Sequence, residues 1–169
     1  LVNDEINSLI QIAEKSGKGY YPRWEFLNAY SGCMVGNPAV SVLTDAYQKG
    51  IQNYPVDKSI QYAINTVRTF GNNEDGYDPG DLSKTLEYAY SDWCVGTLLR
   101  SQNRVQEADI YLKKSKAYRN VWCDSVKWFR ARLSKEEWLP WKGKKVHWQG
   151  CIESNNYQQG WFVPQDIEG

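Results

Sequence analysis

Apolar side chains return every three to four residues in one segment after another, and this periodicity restricts the fold more than any other feature of the chain. In NDEINSLIQIAEKSG, Ile6, Leu9, Ile10 and Ala13 share one helical face, Asp4 and Glu5 suit the first turn, and Gly17 stops it. A second helix is predicted from Asn37 as N-cap and Pro38 at the first helical position, running through AVSVLTDAYQKG. Asp57 is expected to cap a third, KSIQYAINTVRTF, which Gly71 ends. The fourth, KTLEYAYSDWCVGTLLRSQ, has Ser83 as its expected cap and Leu86, Tyr90, Trp93 and Thr97 along one stripe. The fifth, RVQEADIYLKKSKAYRNVW, turns Val105, Ala108, Tyr111 and Leu112 inward.

Between these helices, KGYYPRWEFLNAYSGCMVG reads as an ordered loop and NNEDGYDPGD, residues 72–81, as a solvated one whose acidic spacing does not fit a calcium loop. After Trp122 the period dissolves. CDSVKWFRARLSKEEWLPWKGKKVHWQG is expected to be irregular or to form short strands, held by its four tryptophans. No strands alternate with the helices and no GxGxxG or P-loop occurs, so a nucleotide-binding α/β sheet is excluded. No fixed repeat is visible. The expectation is an all-α domain of antiparallel helix pairs, as in an α/α toroid, a solenoid or a bundle. In a toroid the loops at one end carry the chemistry, which makes YYPRWEF, the 72–81 loop and the CIESNN stretch candidate rim elements.

A length of 169 residues suffices for one domain with its own core. Twenty basic and 20 acidic residues cancel, so no footprint for nucleic acid or an anionic membrane is present. No apolar run approaches the ~20 residues needed to cross a bilayer. Leu1-Val2-Asn3-Asp4 does not read as a signal peptide, and the first residue is not Met, which is expected of a piece of something larger. Eight Trp and 12 Tyr against four Phe give most rings a polar handle, suited to stacking on sugars as well as to a core. Cys33, Cys94, Cys123 and Cys151 lack metal-site spacing, and Cys33 and Cys94 look like buried free thiols. The single His147 makes a Ser/His/Asp or Cys/His nucleophile improbable.

Carboxylates set among aromatics remain. Glu25 follows Trp24 but has Arg23 two residues away, which would lower its pKa and make it a poor acid. Asp92 projects away from Trp93. Glu87 lies about 70° round its helix from Tyr90 and Trp93, where it either reaches a site or pairs on the surface. Glu153 differs, because no Lys or Arg stands within seven residues of it. Cys151, Ile152, Tyr157, Trp161 and Phe162 are expected to desolvate it and raise its pKa, as a proton donor requires. The amides Asn155, Asn156, Gln158 and Gln159 can bind sugar hydroxyls or a hard cation without adding charge.

Three ordered motifs carry a family resemblance. ESNNYQQGWFVPQD, residues 153–166, is similar to the Glu-Gly-Asn-Ala-Trp-Gln-Tyr-x-Trp-Phe-Val-Pro-His-Asp pattern of glycoside hydrolase family 92, the calcium-dependent exo-acting α-mannosidases. YYPRWEF followed by GCMVGNPAVSVLTDAYQKGI, and SKTLEYAYSDWC at 83–94, resemble further motifs of that family. Ser154, Asn156, Tyr157 and Gln165 replace the pattern's Gly, Ala, Trp and His.

The resemblance implies that residues 1–169 are part of an (α/α)6 toroid catalytic domain, without the preceding β-sandwich domain and the rest of the toroid. It implies inverting removal of terminal α-mannose from glycans, with Glu153 as general acid and calcium at the sugar's 2- and 3-hydroxyls. Asn155 becomes a candidate calcium ligand. Trp24, Glu25 and Tyr157 become candidate substrate contacts. A periplasmic, cell-surface or secreted location is implied as well. The family's general base belongs to a later motif not found in these residues, so this piece alone is expected to hydrolyse little. The alternatives are a non-catalytic carbohydrate-binding or scaffold protein on the same toroid, and a helical interaction domain.

Overall fold

The computed structural model describes residues 1–26 and 29–169, with the backbone alone for 25–26 and 29–30. Five long helices form antiparallel pairs: α1 (Val2–Lys15), α2 (Pro38–Gln48), α3 (Val56–Thr69), α4 (Leu82–Ser101) and α5 (Val105–Lys114). α1 buries Ile6, Ile10 and Ala13, and α3 buries Ile60, Ala63, Ile64 and Val67, as their periodicity requires. Two caps differ from expectation. Pro55, not Asp57, precedes α3, because its fixed φ feeds the first turn and its carbonyl accepts from Ser59 N. Asn37 does precede α2, but its side chain reaches across to the Phe70 carbonyl (3.0 Å) instead of capping.

α4 is the axis of the molecule. It packs against α2, α3 and α5, and residues from Leu82 to Leu99 are buried on every side of it. The expected single stripe is therefore corrected: Tyr90, Trp93 and Thr97 are only half-buried, while Leu82, Leu86, Val95, Leu98 and Leu99 are fully enclosed. Gly96 permits the α5 approach, since a Cβ there would meet Leu112 at 2.8 Å. α5 is shorter than its periodicity predicted. It passes into a 3-10 turn at Ser115–Val121, and Val105 faces outward at its N-terminus.

Asp92, half-way along α4, is 4% exposed, and burial pushes its carboxyl up to about 7 against a smaller opposing pull from Lys114. A raised folded-state pKa means that the native protein holds this proton more tightly than the unfolded chain does. Its contribution is fully present below about pH 4 and is lost as pH rises through about 7. Asp92→Asn is accordingly expected to stabilise the fold at pH 8 by more than ~1 kcal/mol and to leave it nearly unchanged at pH 4. Denaturant unfolding at the two pH values checks this.

The irregular remainder contains two antiparallel two-residue pairings. β1 (Glu25–Phe26) pairs with β2 (Ala29–Tyr30), and β3 (Trp122–Cys123) pairs with β4 (Trp128–Phe129). One further helical turn, α6 (Asn156–Gln159), follows. A second core of Tyr77, Leu82, Leu86, Tyr118, Val121, Phe129 and Cys151 joins this stretch to the start of α4. The 72–81 loop is correspondingly less solvated than expected. Tyr77 is 2% exposed, and Asn73 Oδ1 accepts from the backbone N–H of Asp75 and of Tyr77. Trp128, Trp138 and Trp141 are half-buried, but Trp148 stands out in solvent. All four cysteines are free; Cys33 is exposed, not buried as expected.

Candidate active site

Three loops meet at the N-terminal end of α4. Asp81, not Ser83, caps that helix, its Oδ1 accepting from Lys84 N (2.9 Å). Ser83 is thereby freed for another task. Fully buried, it accepts from Ile152 N (2.9 Å) and donates to Gln159 Oε1 (2.8 Å). One residue earlier, Leu82 N donates to the Gly150 carbonyl (2.6 Å). The first loop arrives from the other side: Arg23 donates to the Met34 carbonyl (2.8 Å) and lies 4.6 Å over the Phe70 ring. Gly36 touches Glu87 on α4. The expected rim elements thus come together at one end of the helices.

Glu153 follows the Ser83 anchor directly and has a left-handed backbone, φ +54°. Few non-glycine residues adopt this conformation, and such strain concentrates at functional sites. The turn that holds it closes through Trp148 N donating to the Ser154 carbonyl (3.2 Å) and through the His147–Asn155 bridge. Cys151 points into the second core, Ile152 is pinned to Ser83, and the Glu153 side chain is left exposed.

The expected niche is therefore half right. No basic group within 4 Å pairs with Glu153 among the described residues, but the apolar cover is not there. Tyr157 and Trp161 turn to Trp128 instead. Tyr157 stacks on that ring at 5.6 Å, and Trp161 meets its face edge-on at 5.3 Å.

The amide patch is scaffold. Asn155 caps α6, its Oδ1 accepting from Gln158 N (3.0 Å), while Gln158 Oε1 accepts from Asn155 N (3.3 Å) in a capping box. Asn156 is fully buried between Gln149 and the Phe129 carbonyl, and Gln159 serves Ser83. Calcium takes six to eight oxygens. Here the four amide oxygens already accept bonds, and no cluster of three His, Cys, Asp or Glu able to hold a metal occurs among the described residues. Asn155 retains one unused lone pair. This donor set does not by itself fit a calcium centre.

Of the candidate substrate contacts, Trp24 is 55% exposed at the rim beside Arg23, as a stacking platform requires, and Tyr157 is 42% exposed. The Glu25 side chain lies outside the described residues; its backbone stands opposite Tyr30. Asp166 closes the stretch structurally. Lys116 and Tyr118 hold its carboxyl below the usual range and tie the chain end to the 3-10 turn. Gln165 sits at that turn too, donating to the Ser115 carbonyl, so the loss of the pattern's His falls there and not beside Glu153. A cleft of about 750 Å³ lined by Trp122, Trp128, Trp161 and Val163 opens next to this region and does not include Glu153.

Ser83 lies about 70 residues before Glu153, and the part Gly150 plays depends on the equally distant Leu82, so adjacent sequence marks neither as a support of the turn. Ser83 carried a cap signal that Asp81, two residues earlier, satisfies better.

The helices, with three loops gathered at the N-terminal end of α4, define a helical domain whose candidate site lies at a loop rim. The chain belongs to glycosyl hydrolase family 92: the model of that family's catalytic domain matches residues 1–169. No curated protein matches the chain. Among solved structures it is similar to a family 92 alpha-mannosidase from Bacteroides thetaiotaomicron, with TM-score 0.87, 28% identity and coverage of 97% of this chain and 24% of that one. The same alpha-mannosidase in complex with mannoimidazole gives TM-score 0.83 at 28% identity, covering 97% of this chain and 24% of that one. A family 92 inverting mannosidase from the same organism gives 0.81 at 27% identity, with 94% and 24% covered. This chain thus spans about a quarter of the length of the structures it resembles.

Proposed function

We propose that these residues form the acid-bearing part of an inverting α-mannosidase acting on the terminal mannose of glycans, with Glu153 as general acid. The observation that carries the reading is the 148–154 turn. Two backbone bonds and the Ser83 anchor hold a strained carboxylate outward, unpaired with any cation among the described residues, at the rim where Trp24 is exposed. A proton donor to a leaving oxygen works best in a water-poor site. Cover from outside these residues supplies the desolvation, and the base that activates water on the far face of the sugar comes from there as well. In the reaction Glu153 gives its proton to the leaving glycosidic oxygen as the bond to the anomeric carbon breaks. The amide donors described above do not fit calcium, so a calcium ion would take its ligands from outside them, with at most one oxygen from Asn155. The enzyme would work outside the cytoplasm, at the cell surface, in the periplasm or after secretion.

The test is an assay of the longest natural chain containing these residues on aryl and disaccharide α-mannosides, with and without a chelator. The expected result is release of mannose, first as the β-anomer by NMR, and loss of rate on chelation. Mannose binding without turnover would instead establish a carbohydrate-binding protein, the reading favoured by the exposed Trp24 and Tyr157 rings. Turnover that ignores the chelator would remove calcium from the account.

A further inference from the structure

We propose that Glu87 is a sugar-binding carboxylate of the same site, accepting hydrogen bonds from hydroxyls of the glycan. The inference rests on the mannosidase reading above. Glu87 is half-buried on α4, four residues and so about one helical turn after Ser83, a rise of about 6 Å from the anchor that fixes Ile152 and so Glu153. Its carboxylate makes no hydrogen bond and no ion pair among the described residues. The nearest lysine on its helix, Lys84, is taken by Asp81 (3.3 Å) and Asp78 (3.8 Å).

The neighbouring loop is shaped around it. Gly36, at φ +78°, leaves room that a Cβ would fill, since that atom would lie 2.0 Å from Glu87 Oε2. Two amide oxygens on the neighbouring segments are also without a partner among the described residues. Asn37, next to Gly36 and 4% exposed, has a buried Oδ1 with no partner, and so does Asn72, whose Nδ2 is spent on the Thr85 carbonyl two residues before Glu87. A half-buried carboxylate with no donor among the described residues can accept from a polyhydroxyl ligand, which supplies donors. Burial, and then the charge of Asp81, push the Glu87 carboxyl above the ordinary glutamate range, as they do for an acceptor left unsatisfied.

Glu87→Gln keeps the shape and removes the charge. In the longest natural chain, the variant is expected to lose about 10–100-fold in kcat/KM on an α-mannoside, with its unfolding midpoint within about 2 °C of the parent. Deoxy-mannosides lacking one hydroxyl at a time then locate the contact: for one of them, parent and variant rates should agree within about twofold. The same fold loss on every deoxy substrate, or no loss on the full mannoside, would overturn the assignment, and so would recovery of the lost rate by added calcium. A parent chain without α-mannosidase activity would instead fail the underlying reading, and this one with it.

Discussion

Glu153→Gln is expected to lower kcat/KM on an unactivated α-mannoside by roughly 10²–10⁴-fold, the range that a positioned general acid contributes. The substitution is clean on structural grounds. The side chain is exposed, makes no ion pair among the described residues, and leaves the left-handed backbone, the Ser83 anchor and the capping box of α6 as they are. Stability should stay within about 0.5 kcal/mol. A loss of rate with unchanged unfolding separates a chemical role from a scaffold role. A variant with near-parental turnover would remove Glu153 from the mechanism.

The second large effect concerns the backbone that aims this residue. Gly150 has φ +73°, and a Cβ built there would stand 2.3 Å from Ala131 Cβ, 3.0 Å from the Gly80 carbonyl and 3.2 Å from Leu139 Cδ2. No flexible side-chain end can yield at the first two contacts. Gly150→Ala therefore combines a left-handed alanine, costing about 1–2 kcal/mol, with overpacking of about 1–3 kcal/mol. The expected destabilisation is about 3 kcal/mol, read from the shift in a urea or thermal transition. Because the Gly150 carbonyl accepts from Leu82 N, two residues before Ile152 meets Ser83, the strain falls on the turn that carries Glu153. Turnover should drop with stability. A loss below about 1 kcal/mol would show that the turn relaxes freely, and the positioning argument would fail.

Much of the fold was legible because helical periodicity reports burial on one side. α1 and α3 bury the faces their spacing marks. α4 was legible as a helix but not in its surroundings, since a helix enclosed by neighbours on all sides carries no single stripe. Its caps show the same limit. Asp81 and Ser83 are both good cap residues by type, and only the tertiary demand of Ile152 for an acceptor decides which one caps.

At the site, the absence of basic neighbours around Glu153 could be read from sequence, because it is a property of adjacent residues. Its exposure could not. The left-handed turn at 153 and the stacking of Tyr157 and Trp161 on Trp128, about 30 residues earlier, divert the rings that adjacency placed beside it. The amides misled for a related reason. Asn155 and Gln158 sit at the spacing of a capping box, and helix formation uses their oxygens before a ligand can.

The proton-donor role of Glu153 is tested most directly by leaving-group dependence. A dinitrophenyl mannoside departs without protonation, whereas a methyl mannoside needs its oxygen protonated as the bond breaks. Comparing kcat/KM of parent and Glu153→Gln on the two substrates isolates that single proton. The account predicts a small deficit, under about tenfold, on the dinitrophenyl substrate and a deficit of about 10²-fold or more on the methyl one. Equal deficits on both would contradict it, because the carboxyl would then be acting on something other than the leaving oxygen.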